Sequence, residues 1–445
     1  MVNKIKELIE ARDYKNLKLE MAELNEVDIA EIIEDLSDEQ EQIKIFRLLP
    51  KDIAADVFVE LPIDLQQDLI MLLSNKEAGL IIDNLEADDA VDLVEEMPAN
   101  VVTKILANTT AETRKDINYL LKYPVNSAGS IMNNDFLDLK ANITIEQAIN
   151  KVRKEGMNKE TIDVCFILDK SRKLLGTIEL KDLLFNKSDT IIEDIMDDKV
   201  ISSYTYEDQE EVASKFTKYN LTVMPVVDSE NRLVGVITVD DVVDIINEET
   251  TEDIEKMAAI SPSDKPYLRT SVLETYKQRI LWLLFLMISA TFTGKIIENY
   301  EAALASYVIL TSFIPMIMNT GGNAGGQSSV TVIRGLSLNE IEYKDSLKVL
   351  LKEILVSILA GITLAAINFI KMLVIDKVTI TIAAVVSLTL VITVIIAKMV
   401  GCMLPIAAKR IGFDPAVMAS PFITTIVDAI SLVAYFTIAT IMLGL

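Results

Sequence analysis

The stretch VCFILDKSRKLLGTIELKDLL, residues 164 to 184, returns 59 residues later as VMPVVDSENRLVGVITVDDVV, residues 223 to 243. Each copy reads as an apolar strand, a polar turn, a second apolar strand and the start of a helix. Three residue pairs keep the 59-residue spacing: Asp169 and Asp228, Gly176 and Gly235, and Asp182 and Asp241. The repeat therefore predicts two copies of one α/β module, at residues 127–188 and 189–249.

Residues 1–126, ahead of the repeat, contain short amphipathic segments and no convincing strand. Similar pieces recur: VDIAEIIEDLSDEQ, KDIAADVFVELPID and EAGLIIDNLEADDAVDLVEEMP. Apolar residues at i, i+3 and i+4 predict helices, and prolines or acidic residues mark their ends. Stacked short helices of this kind predict a small superhelical domain.

The last third of the chain contains apolar segments that are long enough to span a membrane. They cover about 280–298, 304–333, 347–370, 378–404 and 417–443. A polar, mostly helix-compatible stretch, residues 250–276, leads into them. The predicted fold is a multidomain membrane protein with an N-terminal α-helical superhelical domain, a tandem α/β pair, a connecting helix and a five-helix transmembrane domain (277–445).

Charge is distributed unevenly along the chain. The formal net charge is −25, which divides into −28 for residues 1–275 and +3 for the remainder. Such an acidic front half repels nucleic acid and anionic lipid and favours cations as partners. A merely solvated acidic surface is the alternative.

Several reaction classes are excluded or disfavoured by residues that the sequence lacks. Histidine is absent, which excludes an HExxH zinc site and a Ser-His-Asp triad. The two cysteines, Cys165 and Cys402, are far apart and indicate neither a disulfide framework nor a thiolate metal site. We therefore expect no enzymatic activity.

The orientation in the membrane follows from the start of the chain and from the basic residues. The first twenty residues read as a charged amphipathic helix rather than a signal peptide, so we expect cytosolic N-terminal domains in a multi-pass plasma membrane protein. With that orientation, nine basic residues of the membrane half and its approach lie inside and three lie outside, in agreement with the positive-inside rule. Five spans then place the C-terminus outside.

Two features interrupt the apolar pattern of the spans. The stretch PMIMNTGGNAGGQSS, residues 315 to 329, falls inside the second predicted span, and Asp428 lies within the last one. Lipid offers no partners to polar groups, so such residues are expected to line a water-filled path or to meet a partner. Close helix packing and a helix–helix hydrogen bond are the alternatives. Lys398, near the end of its span, is expected to snorkel towards the membrane surface.

The motifs and their order resemble known families. The α/β repeat resembles a tandem pair of CBS domains. The whole chain, with TGGNAGGQS at 320–328 and SPF…DAISL at 420–432, resembles the MgtE family of magnesium channels and transporters. This resemblance implies a homodimer embedded in lipid, with a pore on its two-fold axis and cytosolic sensing of Mg²⁺. It implies that an ion path is formed by Asp428, Thr424, Thr320, Gly321, Gly322, Asn323, Gly325 and Gln327.

The resemblance also implies regulatory sites in which acidic residues bridge domains through Mg²⁺. The candidates are Asp88, Asp89, Asp92, Glu95 and Glu96 in the helical domain, Asp208, Glu210, Asp241 and Asp244 in the second module, and Glu249, Glu252 and Asp253 in the connecting segment. CBS pairs often bind adenine nucleotides, so ATP is a further candidate ligand, at Asp182. The alternative function is a CBS-regulated carrier of another divalent cation or of an anion.

Overall fold

The computed structural model describes Ile5 and residues 7–9, 11–36, 38–263, 265–418 and 420–444. It divides into two compact units, Met1–Ile246 and Asn247–Leu445.

The first unit begins with a series of short helices. Their bounds are α1 Tyr14–Met21, α2 Glu26–Glu34, α3 Glu39–Phe46, α4 Lys51–Val59, α5 Ile63–Leu72, α6 Asn75–Ile82, α7 Ala87–Glu95, α8 Ala99–Leu106 and α9 Ala111–Leu120. Each helix from α2 to α7 packs against the helix two places further along the chain, which produces the predicted superhelix. Side chains of Asn25, Asp38, Ser74 and Thr110 accept hydrogen bonds from free backbone N–H groups at helix starts.

Two small mixed sheets follow in the same unit. The first contains β1 (Asp138–Lys140), β2 (Val164–Leu168) and β3 (Leu174–Glu179), and the second contains β4 (Ser203–Tyr204), β5 (Val223–Val227) and β6 (Leu233–Thr238). In both sheets the first strand is parallel and the third antiparallel to the central strand. Val164 pairs with Glu179, and Val223 pairs with Thr238. The 59-residue repeat is therefore kept in the strand register as well as in the sequence.

The repeated aspartates explain why the hairpins fold alike. Asp169 Oδ1 accepts hydrogen bonds from the backbone N–H groups of Ser171 (2.6 Å) and Lys173 (2.9 Å). Asp228 Oδ1 accepts the equivalent bonds from Glu230 and Arg232, both at 2.9 Å. An aspartate that bonds its own turn in this way favours a tight reversal of the chain. The helices of the modules are α10 (Ile145–Glu155), α11 (Leu180–Phe185), α12 (Gln209–Tyr219) and α13 (Val239–Met257).

The connecting segment is helical only in part. Helix α13 extends from the second module to Met257, and no helix is present between Ala258 and Ser271 in the part of this stretch that the structure describes. The second unit continues with α14 (Val272–Asn299), α15 (Glu301–Ser306), α16 (Ile314–Ser337), α17 (Ser346–Val374), α18 (Ile380–Arg410) and α19 (Ser420–Leu443).

The membrane half departs from the prediction in its second span. Among the described residues, four helical segments are long and apolar enough to cross a membrane: Val272–Asn299, Tyr343–Val374, Ile380–Arg410 and Ala416–Leu443. The predicted span at 304–333 is instead divided between α15, a 3₁₀ turn at Val308–Phe313 and α16. Helix α16 has the length of a span, but its glycines and amides make it too polar to qualify by composition.

Burial differs sharply among these helices. Within the second unit taken alone, α18 has a buried face along most of its length, whereas α14 has no buried residue. Helix α18 is therefore central in this unit, and the apolar side chains of α14 are available to lipid or to another chain.

Candidate functional site

Three carboxylates meet at the start of helix α7. One oxygen each of Glu86, Asp88 and Asp89 lie within 4.8 Å of one another. Glu86 precedes the helix, and the two aspartates lie in its first turn, where the helix dipole favours negative charge. Carboxylate oxygens in this number are the ligands that a hard divalent cation takes. The group is therefore a candidate metal centre.

Residues of the α/β pair complete this cluster. Asn133 Nδ2 donates to Glu160 Oε2 at 2.7 Å, to Glu86 Oε2 at 3.1 Å and to Asp88 Oδ1 at 3.4 Å. Asp241, in the first turn of α13, also exerts an electrostatic effect on Asp88 and Asp89. The acidic cluster, as we call Glu86, Asp88, Asp89, Glu160 and Asp241, thus joins the helical domain to the α/β pair within the first unit.

The cluster holds its protons more tightly than isolated carboxylates do. Burial, reinforced by the charge of Asp89, raises the pKa of Asp88 well above its usual value. Burial and the neighbouring Glu86 raise the pKa of Asp89 to about 7, and burial raises the pKa of Asp241 to about 6. Burial and the hydrogen bond with Glu86 also raise the pKa of Glu160. A bound cation would relieve this repulsion.

The other acidic residues that the sequence suggested lie elsewhere. Asp208 caps α12, where its Oδ1 accepts the backbone N–H of Glu210 at 2.9 Å. Asp92 and Asp244 are exposed, Glu249 is half-buried, and Asp182 lies in the first turn of α11. None of them belongs to the group of three carboxylates found among the described residues.

The end of α13 makes contacts inside the second unit. Lys256 Nζ lies 2.5 Å from Glu252 Oε1 and 2.7 Å from Asp414 Oδ2. Ser337 Oγ donates to Asp253 Oδ2 at 3.2 Å, and Met257 packs against buried Ile333 and Ala416. Since Ile333 and Ser337 belong to α16, the connecting segment touches the glycine-rich helix directly.

Helix α16 presents two different faces. Asn319, Asn323, Gln327 and Thr331 are exposed at a spacing of four residues, and we call them the polar stripe. Thr320 is half-buried. Because the segment is a regular helix, its carbonyl groups are used by the helix, and the amide side chains provide the remaining oxygens. One of these, Asn319 Oδ1, accepts a hydrogen bond from Asn323 Nδ2 at 3.3 Å.

The glycines of α16 are contact points between helices. A Cβ at Gly322 would lie 2.8 Å from Thr424 Cγ2, and one at Gly325 would lie 2.7 Å from Ile423 Cγ2. A Cβ at Gly321 would lie 2.8 Å from Thr393 Cγ2. Gly321, Gly322 and Gly325 therefore allow α16 to approach α18 and α19 closely, as small residues do in membrane helices. That the same residues also line an ion path stays a prediction.

Asp428 is the one acidic residue in the sequence of α19. It is half-buried in the apolar helix α19, and no donor in the described part of the chain hydrogen-bonds its carboxylate. Thr424, one turn earlier, donates its hydroxyl to Pro421 O at 2.9 Å, which leaves the Thr424 oxygen able to accept a bond from water. Asp428 and Thr424 thus offer oxygens that accept no hydrogen bond from the described residues, within an apolar helix.

Lys398 does not snorkel. Its Nζ lies 3.1 Å from Ser328 Oγ and 3.4 Å from Glu353 Oε2, and its side chain is 8% exposed. Sequence reasoning missed this pair, although Glu353 lies inside the third predicted span. It also missed Glu86, Asn133 and Glu160, which come together only through folding. In the sequence, Glu353 is recognisable as a carboxylate inside a predicted span, and Glu86 as an acidic residue directly before a helix.

Family models match most of the chain. Residues 24–126 match the MgtE intracellular N domain, residues 128–189 and 192–248 match the CBS domain, and residues 314–438 match the divalent cation transporter MgtE. A solved cytosolic domain of the Mg²⁺ channel MgtE in complex with ATP is 29% identical, with a TM-score of 0.53, over 55% of this chain and 100% of its own. The soluble part of a magnesium transporter is similar over 56% of this chain and 97% of its own, with 28% identity and a TM-score of 0.52.

Full-length relatives agree with these domain matches. The magnesium transporter MgtE of Thermus thermophilus is 31% identical over 99% of this chain and 98% of its own length. The magnesium transporter MgtE of Bacillus subtilis is 32% identical over 96% of this chain and 94% of its own. With helical domain, CBS pair and membrane helices all matched in the same order, the chain belongs to the MgtE family.

Proposed function

We propose that this protein is a magnesium channel or transporter that imports Mg²⁺ across the cell membrane. The relatives that match nearly its whole length are named magnesium transporters. The observation that carries the proposal within the structure is the carboxylate of Asp428, which has no partner among the described residues yet lies in an apolar helix. A carboxylate inside a membrane is energetically unfavourable unless it binds an ion or faces water. The anion carrier and the carrier of another divalent cation are not supported, and we assign no enzymatic activity.

The ion path that we propose is formed by the polar stripe of α16 and by Asp428 and Thr424 of α19. Mg²⁺ dehydrates reluctantly and usually keeps several of its waters. Amide and hydroxyl oxygens suit such a hydrated ion, because they accept hydrogen bonds from its water shell. Gly321, Gly322 and Gly325 contribute by holding α16 against α19, so that both polar sets can face the same path.

We further propose that two copies of the chain form the path. The polar stripe is exposed on a single chain, and lipid would leave its amides without partners. A two-fold axis beside α16 would place two stripes and two Asp428 carboxylates around one aqueous pore. The second copy would also cover part of the apolar surface of α14.

Closure of the path by cytosolic Mg²⁺ is the regulatory part of the proposal. The acidic cluster provides carboxylate oxygens from both the helical domain and the CBS pair, so a bound Mg²⁺ would favour their docked arrangement. Helix α13 begins with Asp241 in the cluster and ends with Asp253 and Met257 at α16. This continuity supports a route from the sensor to the path. Asp92, Asp208, Glu210, Asp244, Glu249 and Glu252 remain candidates for additional, weaker sites.

ATP is proposed as a second ligand of the CBS pair. A similar cytosolic domain was solved in complex with ATP. Here Asp182 lies in the first turn of α11, half-buried, beside exposed Lys181. A carboxylate and an ammonium group are suited to a ribose hydroxyl and a phosphate. The helical and CBS domains are proposed to be cytosolic, with the C-terminus outside.

Flux of Mg²⁺ into liposomes tests the proposed path. We expect wild-type protein to conduct Mg²⁺, and Asp428→Asn to lose most of this flux, because the amide keeps the size but not the charge. Glu340→Gln, in the exposed connection after α16, is the matched control and should conduct like wild type. A correctly assembled Asp428→Asn protein with wild-type flux would remove Asp428 from the path.

A further inference from the structure

A buried ion pair connects three helices of the membrane half. Lys398 of α18 and Glu353 of α17 have side chains that are 8% and 14% exposed, and Ser328 of α16 is fully enclosed. The Lys398 ammonium donates to Ser328 Oγ at 3.1 Å and to Glu353 Oε2 at 3.4 Å, and the Ser328 hydroxyl also donates to Glu353 Oε2. Each member therefore contacts both others, and each comes from a different helix.

The depth of the pair makes it costly to break. Lys398 lies about three turns before the end of α18, and Glu353 lies about two turns after the start of α17. Both helices are long and apolar. A charge left alone in such surroundings is strongly unfavourable, whereas a pair with an additional hydrogen bond is tolerated. The pair consequently constrains the relative positions of the three helices.

The packing around α16 shows why a directional contact is needed. A Cβ on Gly401 of α18 would lie 2.2 Å from the carbonyl oxygen of Gly325. Gly321 and Gly322 lie against Thr393 and Thr424, where an added Cβ would come within 2.8 Å of a methyl carbon. Glycine surfaces allow two helices to approach, but they lack the ridges that interlock neighbouring helices. The large buried side chains of α16, such as Ile317 and Val332, lie towards its two ends, so its glycine-rich centre is the part whose packing restrains rotation least.

Ser328 provides the restraint at the place where rotation matters. It directly follows Gln327 of the polar stripe, and the two side chains project about 100° apart around the helix. A hydroxyl fixed by both Lys398 and Glu353 therefore fixes the direction in which Gln327 and Asn323 project. The glycines set the distance of α16 from its neighbours, and the ion pair sets its rotation.

We propose that Lys398 and Glu353 are positioning residues that hold α16, through Ser328, in the rotation that turns the polar stripe towards the ion path. This inference rests on the proposed function, because the stripe must line the path. It predicts that loss of the pair alters which face of α16 meets water and changes the preference of the path for Mg²⁺ over a larger cation such as Ca²⁺.

Cysteine accessibility in the full-length protein tests this role. The two native cysteines, both buried, are first replaced by alanine, and Asn323→Cys is introduced as the probe. A charged, water-soluble thiol reagent should modify this cysteine rapidly in the parent protein. With Lys398→Met or Glu353→Gln added, we expect the modification rate to fall about tenfold, since an unpaired buried charge forces the helices to rearrange. The ratio of Mg²⁺ flux to Ca²⁺ flux, measured without the probe, should change in the same variants.

Two further variants separate positioning from stability. Ser328→Ala keeps the ion pair but removes its contact with α16, so it should reduce the modification rate with little effect on thermal unfolding. The exchange Lys398→Glu with Glu353→Lys should restore both the rate and the flux ratio. Lys371→Met, which removes a half-exposed pair with Asp376 at the other end of α17, is the matched control and should change neither readout.

The outcomes distinguish the inference from the function on which it rests. If the parent cysteine at position 323 is not modified, the stripe does not face water, and both the proposed path and this role are wrong. If it is modified and Ser328→Ala, Lys398→Met and Glu353→Gln leave rate and flux ratio unchanged, the path stands and the positioning role is overturned.

Discussion

The side-chain amide of Asn133 donates a 2.7 Å hydrogen bond to Glu160, and the same nitrogen reaches Glu86 of the helical domain. One neutral group thus joins carboxylates from two domains. It is surrounded by acidic side chains whose repulsion it only partly offsets, which explains why a divalent cation would favour this arrangement.

Replacement of Asn133 by alanine should weaken domain docking. Asn133→Ala removes the amide that bonds Glu160, Glu86 and Asp88, of which Asp88 is buried, Glu160 half-buried and Glu86 exposed. Loss of a hydrogen bond from a buried carboxylate costs about 1–3 kcal/mol. We expect the Mg²⁺ concentration that protects residues 121–127 from protease to rise. Asn84→Ala, which removes an exposed amide bonded to its own helix, should leave this concentration unchanged. Equal protection in both variants would contradict a role for Asn133.

Docking of the helical domain should depend on pH when Mg²⁺ is absent. The docked arrangement raises the pKa of Asp89 to about 7 and that of Asp241 to about 6, mainly by burial. Docking therefore binds protons, so its stability is greatest below the ordinary aspartate pKa of about 4 and is lost as the pH rises through 6 to 7. Protease protection should be strong at pH 5.5 and weak at pH 8. Saturating Mg²⁺ should remove this dependence, and a flat profile without Mg²⁺ would refute the electrostatic explanation.

Neutralisation of the three carboxylates at the start of α7 should raise the Mg²⁺ concentration at which the channel closes. We expect Glu86→Gln, Asp88→Asn and Asp89→Asn together to raise the internal Mg²⁺ concentration for half closure about tenfold, which corresponds to a loss of about 1.4 kcal/mol. Patch-clamp open probability measures the shift. The matched control, Glu23→Gln with Asp28→Asn and Glu31→Gln, neutralises three exposed acids of the same domain and should close like wild type. An identical shift in both would indicate a general charge effect.

Two glycine substitutions should differ strongly in their effect on stability. Gly401→Ala places a methyl group against the Gly325 carbonyl, and overpacking of this kind costs about 1–3 kcal/mol. Gly294→Ala meets no atom within 4 Å, and alanine is the better helix former by up to about 1 kcal/mol. The melting temperature in detergent should therefore fall for Gly401→Ala and stay level or rise for Gly294→Ala. Equal melting temperatures would show that α16 and α18 are not packed as described.

The sequence predicted the parts of the fold that repeat or that persist over many residues. The 59-residue repeat reappears in the strand register because each copy carries its own turn-forming aspartate, Asp169 or Asp228. Superhelical packing followed from the recurrent amphipathic pattern. Helix α16 was harder to predict, because glycine has low helix propensity and only tertiary contacts with Thr393, Thr424 and Gly401 explain its regularity.

The candidate sites likewise divide into residues that the sequence indicated and residues that only folding brings together. Asp88, Asp89 and Asp241 were chosen by charge and spacing, and the structure brings them into one cluster. Asn133 forms an isolated β-bridge with Val236 and Glu160 lies in a bend, and no local pattern connects either residue with α7. Asp208 illustrates the opposite case, since an aspartate directly before a helix is first of all a capping residue. Lys398 seemed free to reach the membrane surface because its partner Glu353 is 45 residues away.

The absence of buried side chains along α14 has a consequence for the lipid around the protein. This helix has 28 residues and is therefore about 42 Å long, whereas the hydrocarbon core of a bilayer is about 30 Å thick. Its contacts are mainly with α19, where Phe285 stacks on Phe422, and a helix attached along one side adapts to this difference by tilting against its neighbour. We therefore expect the tilt of the first span to vary with acyl-chain length.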